Sequence, residues 1–305
     1  MSRKTSSPSF LANIFLSPNE RRLRAGWRLI VHGLVFALCA FVFGGTIGMV
    51  LFLTGNGDLI ENQLINQAIF LVSITLSIYL TRRFVDRRSF ASLGLGLSQQ
   101  AWRDVLVGFL IPAVVMGAIF LVEWAFGWLE FRGFAWEFGP TSTLLTTVPI
   151  MLVVFILVGW NEELLSRGYW LQNMADGVNL PFGVVVSSVL FGLLHMGNPN
   201  ATWIAVVGVM LAGVFLAYGY VRTKELWLSI GLHIGWNFFE NTVFGFPVSG
   251  LDTLGLLFHT ATGPELITGG AFGPEAGLIV IPGMLLGAGL IYAYTRNRNG
   301  SSTLA

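Results

Sequence analysis

Long apolar runs separated by short polar stretches dominate the chain. A bilayer is crossed by about 20 mostly apolar residues in helical form. Runs of that kind lie at 27–54, 62–81, 104–129, 144–159, 181–196, 202–221, 226–246 and 276–294. The pattern predicts about eight membrane helices, with the fifth the shortest. The stretch 247–275 is rich in Gly, Pro and Thr, shows no period, and is expected to be irregular. The first 20 residues read as a polar tail, and 19–28 as a short interfacial helix leading into the first run, which is expected to be retained as a span.

Composition sharpens this picture. Of 305 residues, 54% are hydrophobic and only 11% charged, where a soluble domain is about a quarter charged. A soluble enzyme, a disordered chain and a nucleic-acid binder with a basic face are therefore excluded. A single cysteine, Cys39, excludes a disulfide framework and a cysteine-based zinc site. The net charge of +1 conceals an asymmetry. Sixteen of the 17 basic residues fall on one side if eight helices alternate, from Arg3, Lys4, Arg21, Arg22, Arg24 and Arg28 to Arg296 and Arg298. Arg132 alone falls on the other side, with Asp58, Glu61, Glu130, Glu137, Asp252, Glu265 and Glu275. Cytoplasmic loops carry the Lys and Arg excess. The expectation is an all-α polytopic membrane helix bundle with both termini cytoplasmic, in the plasma membrane.

Ionisable residues inside membrane segments are costly and mark function. They gather in the second half of the chain. Glu163 and Arg167 are four apart and can pair on a helix. Glu162 faces elsewhere, without a cation, as suits a general base; the alternative is a solvated helix end. His195 follows Phe191 by four residues late in the fifth run. His233 and Asn237 share a face in the seventh. Glu240, a turn further on, could line the same cavity. Glu123 has no evident partner, and His32 and His259 read as hydrogen-bonded core and loop residues.

Glu162-Glu163-x-x-x-Arg167, then Phe191-x-x-x-His195, then His233-x-x-x-Asn237 resemble the three motifs of the CAAX prenyl protease and bacteriocin-processing family, the CPBP or Abi intramembrane proteases. Order, spacing and placement in consecutive apolar runs all match, over residues 141–246. On this resemblance the chain divides into a polar cytoplasmic segment (1–26), three N-terminal helices (27–140), a catalytic core of helices four to seven (141–246), an extracytoplasmic loop (247–275), and a last helix with a cytoplasmic tail (276–305).

The resemblance implies an endopeptidase that hydrolyses a peptide bond within the membrane. Its substrate would be a hydrophobic or lipid-attached peptide, and its other partners membrane lipids; no nucleic acid is expected. Glu162, helped by His195, would activate water. His233 and Asn237 would stabilise the oxyanion, Glu163 and Arg167 would hold the helix end, and Phe191 would pack beside the site. The family is usually assigned a divalent metal, expected to be zinc. Glu162, His195 and His233 would be its ligands, with Glu163 then the base; a metal-free Glu/His scheme is equally compatible. The alternatives are a transporter, or a non-catalytic scaffold or immunity protein of the same fold.

One expectation is geometric. Glu162 lies about 27 Å along its run, His195 about 21 Å and His233 about 10 Å, at 1.5 Å per residue. For these to meet, the fifth run must start below the membrane surface, or the fourth must kink or re-enter. A cavity open to the cytoplasm is expected between the fourth, fifth and seventh.

Overall fold

The computed structural model describes residues 14–17, 20, 22–253 and 255–298. Arg3, Lys4, Asn19, Arg21 and the last seven residues of the tail lie outside the described residues.

Helices make up most of the molecule. Helix α1 is Ala25–Leu53, and α2 is Gln63–Leu80, prolonged by a π turn, Thr81–Val85. Helix α3 is Gln99–Ala125, α4 Thr141–Glu163, α5 Leu171–Gly177, α6 Leu180–Leu194 and α7 Trp203–Thr223. Helix α8, Trp227–Asn237, continues as a π turn over Phe238–Val243, and α9 is Val280–Thr295. Several starts are fixed by side chains that cap an otherwise orphaned N–H: Asn62 accepts from Ile65, Ser98 from Ala101, Asn179 from Phe182 and Thr202 from Ala205.

Among the described residues six helical stretches are long and apolar enough to cross a membrane, and the chain is an integral multi-pass membrane protein. The seventh and eighth runs give shorter helices: α8 with its π turn, and the 16-residue α9. Eight full-length spans are therefore more than the helix lengths provide.

Three sequence expectations change. Of the interfacial helix expected over 19–28, the described residues are helical from Ala25 onward, and Leu23 forms an antiparallel bridge with Leu16. The third run ends at Ala125, because Leu129–Phe134 forms strand β1. The loop 247–275 is partly regular: strand β2, Leu257–Ala261, pairs antiparallel with β1, with a register shift between Phe131 and Gly133. The apolar–polar alternation from Leu129 to Arg132 carries that signal.

Helix α8 is the centre of the bundle, with every residue from Leu228 to Asn237 buried. Glycines let α3 pass close against it. A Cβ at Gly108 would stand 2.5 Å from the Leu228 carbonyl oxygen, and Cβ atoms at Gly231 and Gly235 would run into the carbonyls of Val105 and Phe109. Gly231 and Gly235 form the small-xxx-small pattern of close membrane-helix crossings, with His233 between them. The start of α8 is pinned by the loop after α2. The Leu226 N–H donates to the Gly94 carbonyl at 2.9 Å, and Trp227 Nε1 to that of Gly96 at 2.8 Å. Gly94 has φ of +91° and lies against the Lys224–Leu226 backbone, so a side chain there is excluded twice.

The basic loops gather at one end in an ion network that is buried around Asp86 and more exposed around Asp176. Asp86 accepts from Arg82 at 3.0 Å, from the Tyr169 hydroxyl at 3.2 Å and from Asn173 at 3.5 Å. Asp176 binds Arg22 at 2.6 Å and Arg28 at 3.2 Å. At the same end Arg298 pairs with Asp104, which also accepts from Tyr294 at 2.8 Å.

Candidate active site

The distance puzzle posed by the sequence is resolved by the length of one helix. Helix α4 does not stop near Gly159. It passes through a π turn, Leu164–Trp170, into α5, giving a continuous helical stretch Thr141–Gly177 of 37 residues. Glu162 therefore lies about 22 Å of helix rise above the α5–α6 turn, and His195, just past α6, lies about 22 Å above it on the other side. The polar stretch 161–173 looks like a loop in sequence. It stays helical because its polar side chains are buried and find partners inside the protein: Asn161 bonds to Gln67, Glu163 to Arg167 and His233, and Asn173 to Tyr169 and Asp86.

At this level the three motifs meet. Glu163 Oε1 accepts from Arg167 Nη1 at 2.9 Å and from His233 Nδ1 at 2.9 Å. Arg167 sends Nη2 to the Gly213 carbonyl of α7 at 2.9 Å, and its guanidinium lies 4.4 Å over the Phe191 ring. That ring is also packed against His195 and His233, at 4.7 and 6.0 Å between centroids. His195 Nδ1 donates to the Phe191 carbonyl at 2.7 Å.

With both Nδ1 atoms so engaged, each imidazole is left with Nε2 as its working atom. Both Nε2 atoms face one carboxylate oxygen. Glu162 Oε2 lies 3.9 Å from His195 Nε2 and 3.8 Å from His233 Nε2. These separations are longer than hydrogen bonds, and Glu162 Oε2 is buried with no partner. A gap of this size between polar atoms suits a single bridging water.

The donor types also suit a divalent metal: two imidazoles anchored through their second nitrogen, and one carboxylate. Ligands of a tetrahedral zinc stand about 3.4 Å apart for bonds of about 2.1 Å, so the present spacing is slightly open. Among the described residues no three His, Cys, Asp or Glu side chains are already drawn together as a metal cage.

The site lines a cavity of about 380 Å³. Asn237, a turn past His233, is in its wall. So are residues that sequence reasoning did not single out as site groups: Gln63 and Gln67 of α2, Asn161, Asn198, Ser249 and Glu275. Glu275 accepts from Trp236 Nε1 at 3.1 Å and from the Ser249 hydroxyl at 2.6 Å, tying the loop after α8 onto the cavity wall. Glu240, expected to line the cavity, is instead fully buried behind it. Glu123 is buried too. His32 packs on Tyr169 with Ser77 at 3.4 Å, and His259 lies among Phe120 and Phe246. Burial lowers the His259 pKa, so the ring is neutral near pH 7.

The cavity runs away from the basic end of the bundle. Gln63 opens α2, Asn198 follows α6, and Val248, Ser249, Leu251 and Glu275 belong to the loop after α8, all on the side opposite the basic loops. The lining thus extends toward the end opposite the basic loops, whereas the expected opening is toward the basic side. Phe70 and Leu194, both exposed on the outer surface of the bundle, also line it.

Comparisons with known proteins fall on the same residues. The model of the Rce1-like family, described as type II CAAX prenyl endopeptidase Rce1-like, matches residues 143–239. The chain is 27% identical over 200 residues to "Uncharacterized protein YyaK" of Bacillus subtilis (strain 168), covering 62% of this chain and 65% of that protein. It is 30% identical over 130 residues to "Putative membrane peptidase YdiL" of the same organism, covering 42% of this chain and 49% of that protein. The chain thus spans just under two thirds of the one relative and about half of the other. No solved structure matches it. The motif-bearing core, residues 143–239, is thus similar to the Rce1-like family.

Proposed function

We propose that the protein is an intramembrane endopeptidase of the CAAX protease type, acting in the plasma membrane on a hydrophobic or lipid-attached peptide. One observation carries this reading above the others. A buried carboxylate oxygen, Glu162 Oε2, has no partner and faces two imidazole Nε2 atoms across a gap of one water, at the wall of a cavity.

Amide hydrolysis needs an activated water, a stabilised oxyanion and a proton for the leaving amine. The water sits between Glu162 and His195. Glu162 takes its proton as the oxygen attacks the carbonyl carbon. The oxyanion receives hydrogen bonds from Nε2–H of a protonated His233 and from the Asn237 amide. Glu163, on the far side of the His233 ring, balances that charge and fixes the ring's direction. When the C–N bond breaks, the proton held by Glu162 passes to the departing nitrogen. Phe191 supports both imidazoles and does not react.

Glu162, His195 and His233 are also the side chains that would hold a divalent metal, which when bound would supply Lewis-acid charge and a more acidic water. The two schemes differ in whether His233 Nε2 carries a proton or binds the ion. The exposed apolar side chains of Phe70 and Leu194 at the cavity wall support entry from the lipid, and membrane lipids as the surrounding partner.

The test is cleavage of an apolar fluorogenic peptide in proteoliposomes. Glu162→Ala and His233→Ala are each expected to abolish cleavage. Cleavage that survives both would reject the peptidase reading, leaving a transporter or a non-catalytic scaffold.

A further inference from the structure

A peptide drawn into a membrane-embedded cavity loses the water that satisfied its backbone N–H and C=O groups, and each unsatisfied group is costly. The cavity wall must replace that water. Its reacting groups cannot do so, since they are committed to the scissile bond.

A different pair is placed for this task. Asn161 directly precedes Glu162 on α4, is almost fully buried and lines the cavity. Its Nδ2 is used twice, donating to the Gln67 backbone carbonyl and to Gln67 Oε1, both at 3.1 Å. Its Oδ1 is buried with no partner. Gln67 also lines the cavity. With Oε1 held by Asn161, Nε2 is the hydrogen-bonding group of its amide that remains. The pair therefore offers one acceptor and one donor on amide groups fixed by each other. That is the complement of the N–H and C=O carried by a residue of an extended peptide. A hydrocarbon would gain nothing from this alternation.

We infer that Asn161 and Gln67 form a backbone clamp that holds an extended peptide beside Glu162, through its main chain and without regard to side chain. This rests on the peptidase reading and adds the substrate's recognised part: the peptide unit next to the scissile bond. The clamp positions; it takes no part in bond cleavage.

The experiment uses an apolar fluorogenic peptide and a matched analogue whose amide next to the scissile bond is replaced by an ester, removing one N–H. Binding is measured by fluorescence anisotropy to full-length Glu162→Gln protein in proteoliposomes. Cleavage is measured in parallel with Glu162 intact. The amide peptide is expected to bind about five- to tenfold more tightly than the ester, as one hydrogen bond to a buried acceptor implies. Adding Asn161→Leu removes the discrimination and raises KM, with kcat retained. Gln67→Leu, which leaves the Gln67 backbone carbonyl for Asn161, weakens both peptides alike and guards against a folding effect.

Equal binding of the two peptides to the Glu162→Gln protein, or discrimination that persists in Asn161→Leu, overturns the clamp. Discrimination without any cleavage by the intact protein overturns the peptidase reading and leaves a peptide-binding site.

Discussion

Two buried polar clusters sit in this bundle, and they differ in one respect. Around Asp86, at the basic end, both carboxylate oxygens are taken up by Arg82, Tyr169 and Asn173. Around Glu162, the carboxylate oxygen that faces two imidazoles has no partner and a cavity adjoins it. Satisfied networks rigidify a fold, whereas a buried polar atom left unsatisfied needs a reason. The first cluster ties α1, α2 and α5 together. In the second, Glu163 is bonded to Arg167 and His233, while Glu162 Oε2 is left without a partner.

The comparison is broken most sharply at Asp86. Asp86→Ala strands the buried Arg82 guanidinium and is expected to cost about 3–5 kcal/mol of stability. Thermal unfolding in detergent should show a large fall, while the cleavage rate per folded molecule stays near that of the unaltered protein. At the other cluster, Glu163→Gln removes the anion that aligns His233. Such supporting partners are worth about 10- to 100-fold; the loss is expected in kcat, with a smaller fall in stability from the weakened Arg167 pair. The smallest effect tests the scaffold that presents His233. Gly231→Ala forces a methyl into the α3–α8 crossing and should cost about 1–3 kcal/mol, read by the same unfolding assay. A Gly231→Ala protein of unchanged stability would mean that the crossing is looser than its backbone contacts indicate.

Much of the site was legible in the sequence, because a Glu, His or Asn in an apolar run is conspicuous. The structure brings Glu162, Glu163, Arg167, Phe191, His195 and His233 together, with Asn237 in the same cavity wall. Helix length was less legible. The polar stretch 161–173 resembles a loop, and only its burial against α2, α7 and the ion network shows why it stays helical. The pairing of β1 with β2 joins segments more than 120 residues apart; β1 carried an alternating signal, but its partner did not. Asn161 looked like a helix-end residue, and its role depends on Gln67, which only the packing of α4 on α2 places beside it. Glu275 and Glu240 exchanged places for a similar reason. Spacing along one helix says which residues share a face, but not which segment folds back over it.

On the proposed mechanism Glu162, whose Oε2 is unpartnered, is the chemical centre, and the satisfied Asp86 carboxylate is not. The direct measurement is the initial rate of peptide cleavage in proteoliposomes, divided by the folded fraction, for Glu162→Gln and Asp86→Asn side by side. The account predicts a loss of at least about 100-fold for Glu162→Gln, the range of general-base catalysis, and a rate per folded molecule within a few-fold of normal for Asp86→Asn. Equal rates for the two variants, or cleavage retained in Glu162→Gln, would contradict it.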